Sequence, residues 1–571
     1  MSDIAFGIDL GTSTSIVSYI LNGHPMPICD PHTKTPIVPS VVALTRRDEL
    51  VVGQPAIDSG LPNAIIREAK RMMGTDYKFS IGDQSLTPEE VGALVLRKMK
   101  EVAEQMLGTT MESAVITVPA YFDDLPRRAT EQAAIKAGIK PLRLISEPVA
   151  AALAYGINRL EEEGLLLVYD FGGGTLDVTI IEMMEGVMEV KATDGDRELG
   201  GRHMDTLLME YAVKQSGFAM PLEGTKAWEG LKGQVETAKK TLSTLFRTDI
   251  IVPAFAIENG EVKDMEVEIT RTNFEELIGD LIARSLKKIK DCLAKAKVKR
   301  ENIEKLLMVG GTCYIPSVRE AVESYLNLQA EKGVDPDLAV SQGAAISAGL
   351  KTGAIDARTS VVLQDAATFR MGISALEQVG NQYKDVFSEL MPANSLIPFV
   401  HTKQYHLLRW DQDEINIEVL QATSNAFFAE DATPTGARGS IKDILPSLTG
   451  EPRSVNIELR FDESQIIRVT AKIVGLDKEL TIQLFCEQGD QAPLSLLNTP
   501  SVVDILWAKS PLASRNAPLI KRAEKILEAS PANSEYIEAA LNELKVAIAD
   551  NSPEKAQEAR ERLTDFLVDA Q

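Results

Sequence analysis

Cysteine is scarce in this chain of 571 residues, and Cys29, Cys292, Cys313 and Cys486 show no CxxC spacing. That pattern suits a reducing compartment, argues against a zinc site and leaves small apolar filler as the simplest role for all four. The five histidines, His24, His32, His203, His401 and His406, show no HExxH or comparable ligand spacing, so no chemistry is assigned to them. Long apolar runs are missing, and no segment is expected to span a bilayer. The start, MSDIAFGIDL, runs straight into strand-like sequence without a basic segment or cleavage site, which reads as no secretory signal and a cytoplasmic location. Basic charge is also in deficit. With 83 acidic and 60 basic residues the net charge is −23, which opposes nonspecific association with nucleic acid or an anionic membrane.

What the chain does have is length and glycine turns set between apolar strands. At roughly 150 residues per domain it should hold about three to four structural units, and 44% apolar with 25% charged residues is ordinary for a soluble globular protein. Leu165 to Ile180, LLLVYDFGGGTLDVTI, reads as strand, turn, strand. Gly172, Gly173 and Gly174 lack a Cβ, so the backbone there can bring successive amide N–H groups close to an anion. Asp170 and Asp177 flank the turn and would repel a bare phosphate, which makes sense if a hard cation lies between. An isolated GGG is more often a plain turn. The balance shifts because Ala5 to Val17, AFGIDLGTSTSIV, repeats the grammar with Asp9, Gly11, Thr12 and Ser13. Neither copy is a Walker A loop, since no Gly-Lys-Ser/Thr follows and the chain returns as a strand. Two lobes, each offering a phosphate hairpin to one cleft, are the expected result.

Along the rest of the chain, Pro36 to Leu44 and Glu49 to Gly53 read as strands and Asn63 to Gly74 as a helix. The basic pair Lys70 and Arg71 in that segment is, by itself, solvated surface. Thr87-Pro88-Glu89-Glu90 is a capping box opening a helix to about Leu107. A strand over Ala114 to Val118 leads to Pro119, and a helix follows from Pro126. Ser146-Glu147-Pro148 opens a helix so rich in alanine that its backbone can approach a neighbour closely, with Glu147 placed to complement the helix dipole. Leu199-Gly200-Gly201 opens another helix. Trp228 to Leu245 puts Glu236, Lys239 and Ser243 on one face, and Thr270 to Ala296 is a long amphipathic helix. Leu306 to Val309, Gly310-Gly311 and a helix from Pro316 form a strand, glycine, helix cradle, and Asp335 to Gly349 gives one more small-residue helix. From Ala366 to Glu487 alternation such as Ile415-Asn416-Ile417-Glu418-Val419 predicts an antiparallel β-sandwich. Helical segments with Ser-Pro breaks follow from Pro518.

Taken together, GIDLGTSTS, KRMMG, VITVPAYFDD, LISEPVAAALAYG, YDFGGGTLDV, LGGRHMD, LLMVGG and PDLAVSQGAA resemble the signatures of the seventy-kilodalton heat-shock chaperones, the DnaK-type family, and most of all its short HscC-like members. The resemblance implies a two-lobed actin-like ATPase domain over residues 1–357, a linker at 358–365, an antiparallel β-sandwich that binds peptides over 366–490, and a truncated helical lid over 491–571. It implies ATP or ADP with Mg²⁺, the ion held through water by Asp9 and Asp170. Gly11, Thr12, Ser13 and Gly172 to Thr175 would cradle the phosphates, with Gly200 and Gly201 beside them. Lys70 would position the attacking water, and Glu147 and Asp177 would order water and, with Thr175, a K⁺ ion. Asp177 thereby joins the metal set. Glu236, Lys239 and Ser243 would contact adenosine, with Gly310, Gly311 and Asp337 at its other edge. Tyr314 stands where the family has an arginine that stacks on adenine; tyrosine can also stack.

Pro119 and Arg127 match the family's proline switch and arginine relay. Val361, Val362, Leu363 and Asp365 match the docking linker, with Gln364 in place of its usual leucine. The implied activity is ATP-driven binding and release of unfolded polypeptide in a stress response, with a J-domain cochaperone and a nucleotide exchange factor as partners. The rival readings on the same fold, a small-molecule kinase or a filament protein, leave Val361 to Gln571 without a role.

Overall fold

A computed structural model describes residues 4–483, apart from short breaks of which the longest is 356–361, together with scattered helical positions between 516 and 564. Met1–Glu487 form one compact unit and Gln488–Gln571 a second.

The first lobe is built on β1 (Phe6–Leu10), β2 (Thr14–Leu21) and β3 (His24–Pro27), which pair antiparallel in sequence order. Helix α1 (Pro88–Leu107) starts where the capping box sets it: Thr87 accepts from the Glu90 N–H and Glu90 accepts from the Thr87 N–H. Then β4 (Ser113–Val118) lies parallel to β1, α2 (Asp124–Lys136) crosses over, and β5 (Lys140–Ser146) extends the sheet to the order β5-β4-β1-β2-β3. Helix α3 (Glu147–Gly156) leads to the second lobe.

There β6 (Gly164–Phe171), β7 (Leu176–Met184) and β8 (Val187–Asp196) repeat the antiparallel meander. Helices α4 (Gly201–Ser216) and α5 (Lys226–Leu242), the hairpin β9 (Arg247–Glu258) and β10 (Glu261–Thr270), and α6 (Arg271–Ala296) follow. Then β11 (Ile303–Val309) joins β6 in parallel, ahead of α7 (Pro316–Leu326) and α8 (Ala339–Thr352). The β9–β10 hairpin has no counterpart in the reading of the sequence.

Helices α3 and α8 meet in a core of small residues, Ala150, Ala151, Ala152, Ala344, Ala345 and Ala348 among them. The approach is backbone to backbone. A Cβ on Gly343 would stand 1.7 Å from the Ala150 carbonyl oxygen, and one on Gly7 of β1 would stand 2.0 Å from the Ala345 nitrogen. Ser18 and Ser341 are hydrogen-bonded across the same seam at 2.9 Å.

Beyond α8, β12 (Val362–Ala366) runs parallel to β8, pairing Val362 with Val187, Leu363 with Met188 and Gln364 with Glu189. Two four-stranded antiparallel sheets come next. One has the order β14-β13-β16-β17, from β13 (Arg370–Val379), β14 (Gln382–Met391), β16 (Ile415–Ala422) and β17 (Thr433–Ile441). The other is β15-β18-β19-β20, from β15 (Phe399–His406), β18 (Ser454–Phe461), β19 (Ile467–Ile473) and β20 (Glu479–Gln483). Their facing residues, such as Val419, Ile457, Val469 and Ala471, form one core, as alternation predicts. In the second unit the described helical residues Ile520, Leu544, Ile548 and Leu563 share an apolar cluster; the rest of the expected lid lies outside the described residues.

One expectation is corrected. Asn63 to Gly74 is not a helix: Ile65–Ile66 pair with Ala43 and Val42, Glu68 takes φ 57°, and only Ala69–Met72 make a tight 3₁₀ turn. The adjacent isoleucines are drawn to a strand edge, and the left-handed residue stops any helix from passing through.

Because the helix crossing has no room for a side chain at Gly343, Gly343→Ala is expected to destabilise the protein by about 3 kcal/mol. Urea denaturation of the full chain measures it; an unchanged midpoint would show that the seam can open without cost.

Candidate nucleotide site

The β1–β2 and β6–β7 turns face one another. An ideal Cβ on Gly173 would fall 2.2 Å from Ser13 Oγ, and one on Gly174 would fall 3.1 Å from Thr12 Cγ2. The Gly172 N–H closes its turn on the Thr175 carbonyl at 3.0 Å. Gly200 and Gly201, at the start of α4, lie against the second turn: the Gly201 and Arg202 N–H groups donate to the Gly172 and Gly173 carbonyls at 3.1 and 2.9 Å. Gly310, at φ 85°, brings the strand after β11 so close that a Cβ would sit 2.5 Å from the Phe171 oxygen. Side chains at these positions would fill the cradle, which explains the residue type at each. The turns line an open cleft of about 590 Å³, whose walls also include Asp9, Glu147, Asp170, Gly311 and Asp337.

Carboxylates are crowded at the floor. Asp9 accepts from Thr117 Oγ1 at 2.9 Å, and Asp170 and Asp177 are direct cross-strand neighbours. Burial and then the Glu147 carboxylate push the Asp9 carboxyl up to about 7, while Lys70 pulls it down. Burial and Glu147 likewise raise Asp177 to about 7, and Asp170 is held well above the carboxylate range by burial, Glu147 and its Asp177 and Asp9 neighbours. Such a cluster favours a cation in its midst. Among the described residues no three His, Cys, Asp or Glu side chains are placed to hold a metal ion directly; a small divalent ion such as Mg²⁺ keeps several of its waters and takes only one or two carboxylates. Asp177 does not line the cleft; it lies behind it, with Oδ1 beside Gly195.

Lys70 is buried, not solvated. Its ammonium donates to the Leu10 carbonyl and to Glu147 Oε1 at 2.5 Å, at the point where both hairpins and α3 converge. The neighbouring Arg71 is also engaged, bonded to Glu198 at 2.5 Å. With Arg202–Glu68 and Arg67–Glu229, both 3.5 Å, it ties the 67–71 segment of the first lobe to the second across the cleft. Periodicity did not expose these pairs, because each partner is far away in sequence.

Four other expected residues, Glu236, Lys239, Ser243 and Tyr314, do not line that cleft. Lys239 donates to the Gly201 carbonyl at 3.2 Å and pairs with Asp205 at 2.8 Å, Glu236 pairs with Lys240, and Ser243 Oγ turns back to the Lys239 carbonyl. Tyr314 is 46% exposed and donates to Asp335 Oδ1 at 3.0 Å.

At the far side of the first lobe, Pro119 accepts from the Phe122 N–H at 3.1 Å, and the Phe122 carbonyl accepts from Arg127 Nε at 2.8 Å. Arg127 is buried and reaches the Ser464 carbonyl of the β-sandwich at 3.4 Å. Arg128 donates to the Ile467 carbonyl, Asp124 accepts from the Ile467 N–H at 3.0 Å, and Ser464 Oγ accepts from the Leu144 N–H at 3.1 Å. The strand β12 carries Val362, Leu363 and Asp365 in backbone pairing with β8 and with Leu396–Ile397; Val361 lies outside the described residues.

Two like lobes with paired phosphate turns and carboxylates between them define an actin-like ATPase fold, here joined to a β-sandwich. The chain belongs to the Hsp70 family: the model of that family, described as Hsp70 protein, matches residues 5–568. It is 38% identical over 490 residues to the chaperone protein DnaK of Nitrosopumilus maritimus, covering 84% of this chain and 74% of that protein. It is 37% identical over 487 residues to the DnaK of Cenarchaeum symbiosum, covering 84% and 72%, and 37% over 492 residues to that of Thermotoga maritima, covering 84% and 79%.

The Lys70 ammonium bridges the first hairpin and α3, so Lys70→Ala should retain ATP binding and lose hydrolysis by about a hundredfold or more. Single-turnover hydrolysis measures this, and a normal rate would remove Lys70 from the mechanism.

Proposed function

We propose that this protein is an ATP-dependent molecular chaperone that binds and releases unfolded polypeptide segments under the control of ATP hydrolysis. The observation that carries the reading is that one continuous unit contains both the phosphate cleft and a β-sandwich bonded to it through Asp124, Arg127 and Arg128. Residues 1–357 are assigned to the ATPase domain, 358–365 to the linker, 366–490 to peptide binding and 491–571 to a short lid. A kinase or a filament protein has no use for the last three.

ATP or ADP would sit with its phosphates on Thr12, Ser13 and Gly172 to Thr175, near Gly200 and Gly201. Its base would lie between Tyr314 and the side of α5 carrying Glu236 and Lys239, with Ser243 just past the helix end. Asp9 and Asp170 would hold Mg²⁺ through water; when bound, the ion neutralises phosphate charge. Lys70 would orient the attacking water and offset charge developing on the transferred group, with Glu147 holding the lysine. Asp177 and Thr175 would complete a K⁺ site. The chemistry is positioning and electrostatics, as phosphoryl transfer requires.

The coupling would run through groups that neighbour one another. Lys70 stands 5.8 Å from the Phe122 ring centroid, Phe122 links Pro119 to Arg127, and Arg127 holds Ser464. Hydrolysis that shifts Lys70 or Pro119 would thereby bias the docked arrangement against an undocked one, the two-state element that allostery needs. Unfolded segments are the clients, and a J-domain cochaperone and a nucleotide exchange factor are the expected partners. No described helix is long and apolar enough to cross a membrane, and a cytoplasmic location is proposed.

Docking through β12 gives a direct test. Replacing Val362 and Leu363 by Asp should abolish stimulation of the ATPase by an unfolded peptide while basal hydrolysis survives. Undiminished stimulation would exclude the linker as the coupling element.

A further inference from the structure

His203 is the third residue of α4, and its ring turns back on the helix start. The Gly200 N–H donates to His203 Nδ1 at 3.0 Å, and the His203 N–H donates to the Gly200 carbonyl at 3.0 Å, so the imidazole plays the part that a carboxylate or amide plays in a capping box. What it caps is no ordinary helix end. Gly200 has no room to drift, since a Cβ there would lie 2.5 Å from the Gly173 oxygen. The next two N–H groups, of Gly201 and Arg202, hold the Gly172 and Gly173 carbonyls. The orientation of those peptide units sets where the N–H groups of the glycine turn point.

We propose that His203 is a positioning residue for ATP hydrolysis, holding the Gly200-Gly201 segment against the phosphate turn only while its imidazole is neutral. The inference rests on reading the cleft as the ATP site. An Nδ1 that accepts requires the proton on Nε2, and Nε2 faces Glu198 Oε2 at 3.8 Å. A second proton would make both ring nitrogens donors, turning Nδ1–H against the Gly200 N–H and removing the cap.

The charged groups around the ring work against that proton overall. Arg202 on the same helix and Arg71 from the Ala69–Met72 turn of the opposite lobe are cations close by, while Glu198 from the preceding loop is the facing anion. Glu198 is itself shared with Arg71 at 2.5 Å and Arg202 at 2.7 Å, and Glu68 of the opposite lobe pairs with Arg202 at 3.5 Å. Burial, then Arg202, hold His203 below its ordinary value, against the pull of Glu198. The cap is therefore intact at neutral pH and fails as the medium acidifies below the ordinary histidine range.

The test uses the full chain as wild type, His203→Asn and His203→Ala. Single-turnover ATP hydrolysis is followed between about pH 5 and 8, across the histidine range, and ¹⁵N NMR of the imidazoles is recorded without nucleotide, His203 being assigned by its loss in the variants. The wild-type rate should fall on the acid side. His203→Asn, whose amide oxygen accepts at every pH, should keep the neutral-pH rate and move the acid limb down by about one unit or more. His203→Ala should run about tenfold slower at neutral pH, and the wild-type spectrum should place the proton on Nε2. A wild-type rate in His203→Ala, an unmoved acid limb in His203→Asn, or a proton on Nδ1 would each overturn the role of His203 alone. Failure of the wild-type chain to hydrolyse ATP at any pH would overturn the reading of the cleft together with it.

Discussion

Everything in the first unit depends on how closely α3 and α8 cross. The Gly343 backbone lies on the Ala150 carbonyl, and the Gly7 backbone lies on Ala345, so three elements meet without intervening side chains. Helix α3 carries Glu147 at its N-terminus and follows β5 of the first lobe, yet packs on the strands of the second; α8 follows the second lobe and packs on β1, β2 and β4. Each lobe thus sends a helix onto the other. The close crossing keeps the starts of both phosphate hairpins at the floor of one cleft, and larger residues would spread the lobes and separate the hairpins.

On that base the cleft concentrates like charge. The carboxylates of Asp9, Glu147 and Asp170 at the floor and of Asp177 behind it influence one another, with Lys70 as a cation among them. Buried carboxylates without a counter-ion are costly, and the arrangement is relieved when a hydrated divalent ion arrives with a nucleotide. The same lysine stands beside Phe122, whose backbone ties Pro119 to Arg127. A short run of neighbouring groups therefore separates the phosphate end from the contacts with the β-sandwich, while ion pairs between the 67–71 segment and the second lobe join the two lobes.

The strands and helices that position the site were legible because their signals are local. Paired Asp-Gly-Thr turns between apolar runs, the Thr87–Glu90 box and the alanine-rich α3 each state their structure within a dozen residues. Segment 63–74 misled for a physical reason: its helical periodicity is overridden by strand pairing at Ile65–Ile66 and by the left-handed Glu68. Lys70, read alone, belonged on the surface, and only the family resemblance brought it to the phosphate. Histidine spacing spoke only to metal ligation, so the hydrogen bond from Gly200 to His203 could not be read from it. The contacts of Arg71, Glu198 and Ser464 join positions more than a hundred residues apart and leave no mark in spacing.

The central claim is that nucleotide state in the cleft controls how long the β-sandwich holds an extended polypeptide. The most direct measurement is the dissociation rate of a fluorescent unfolded peptide from the full chain, first with ADP and then with ATP, each with Mg²⁺. The account predicts much faster release with ATP. Equal rates in the two nucleotides, with peptide bound in both, would contradict it.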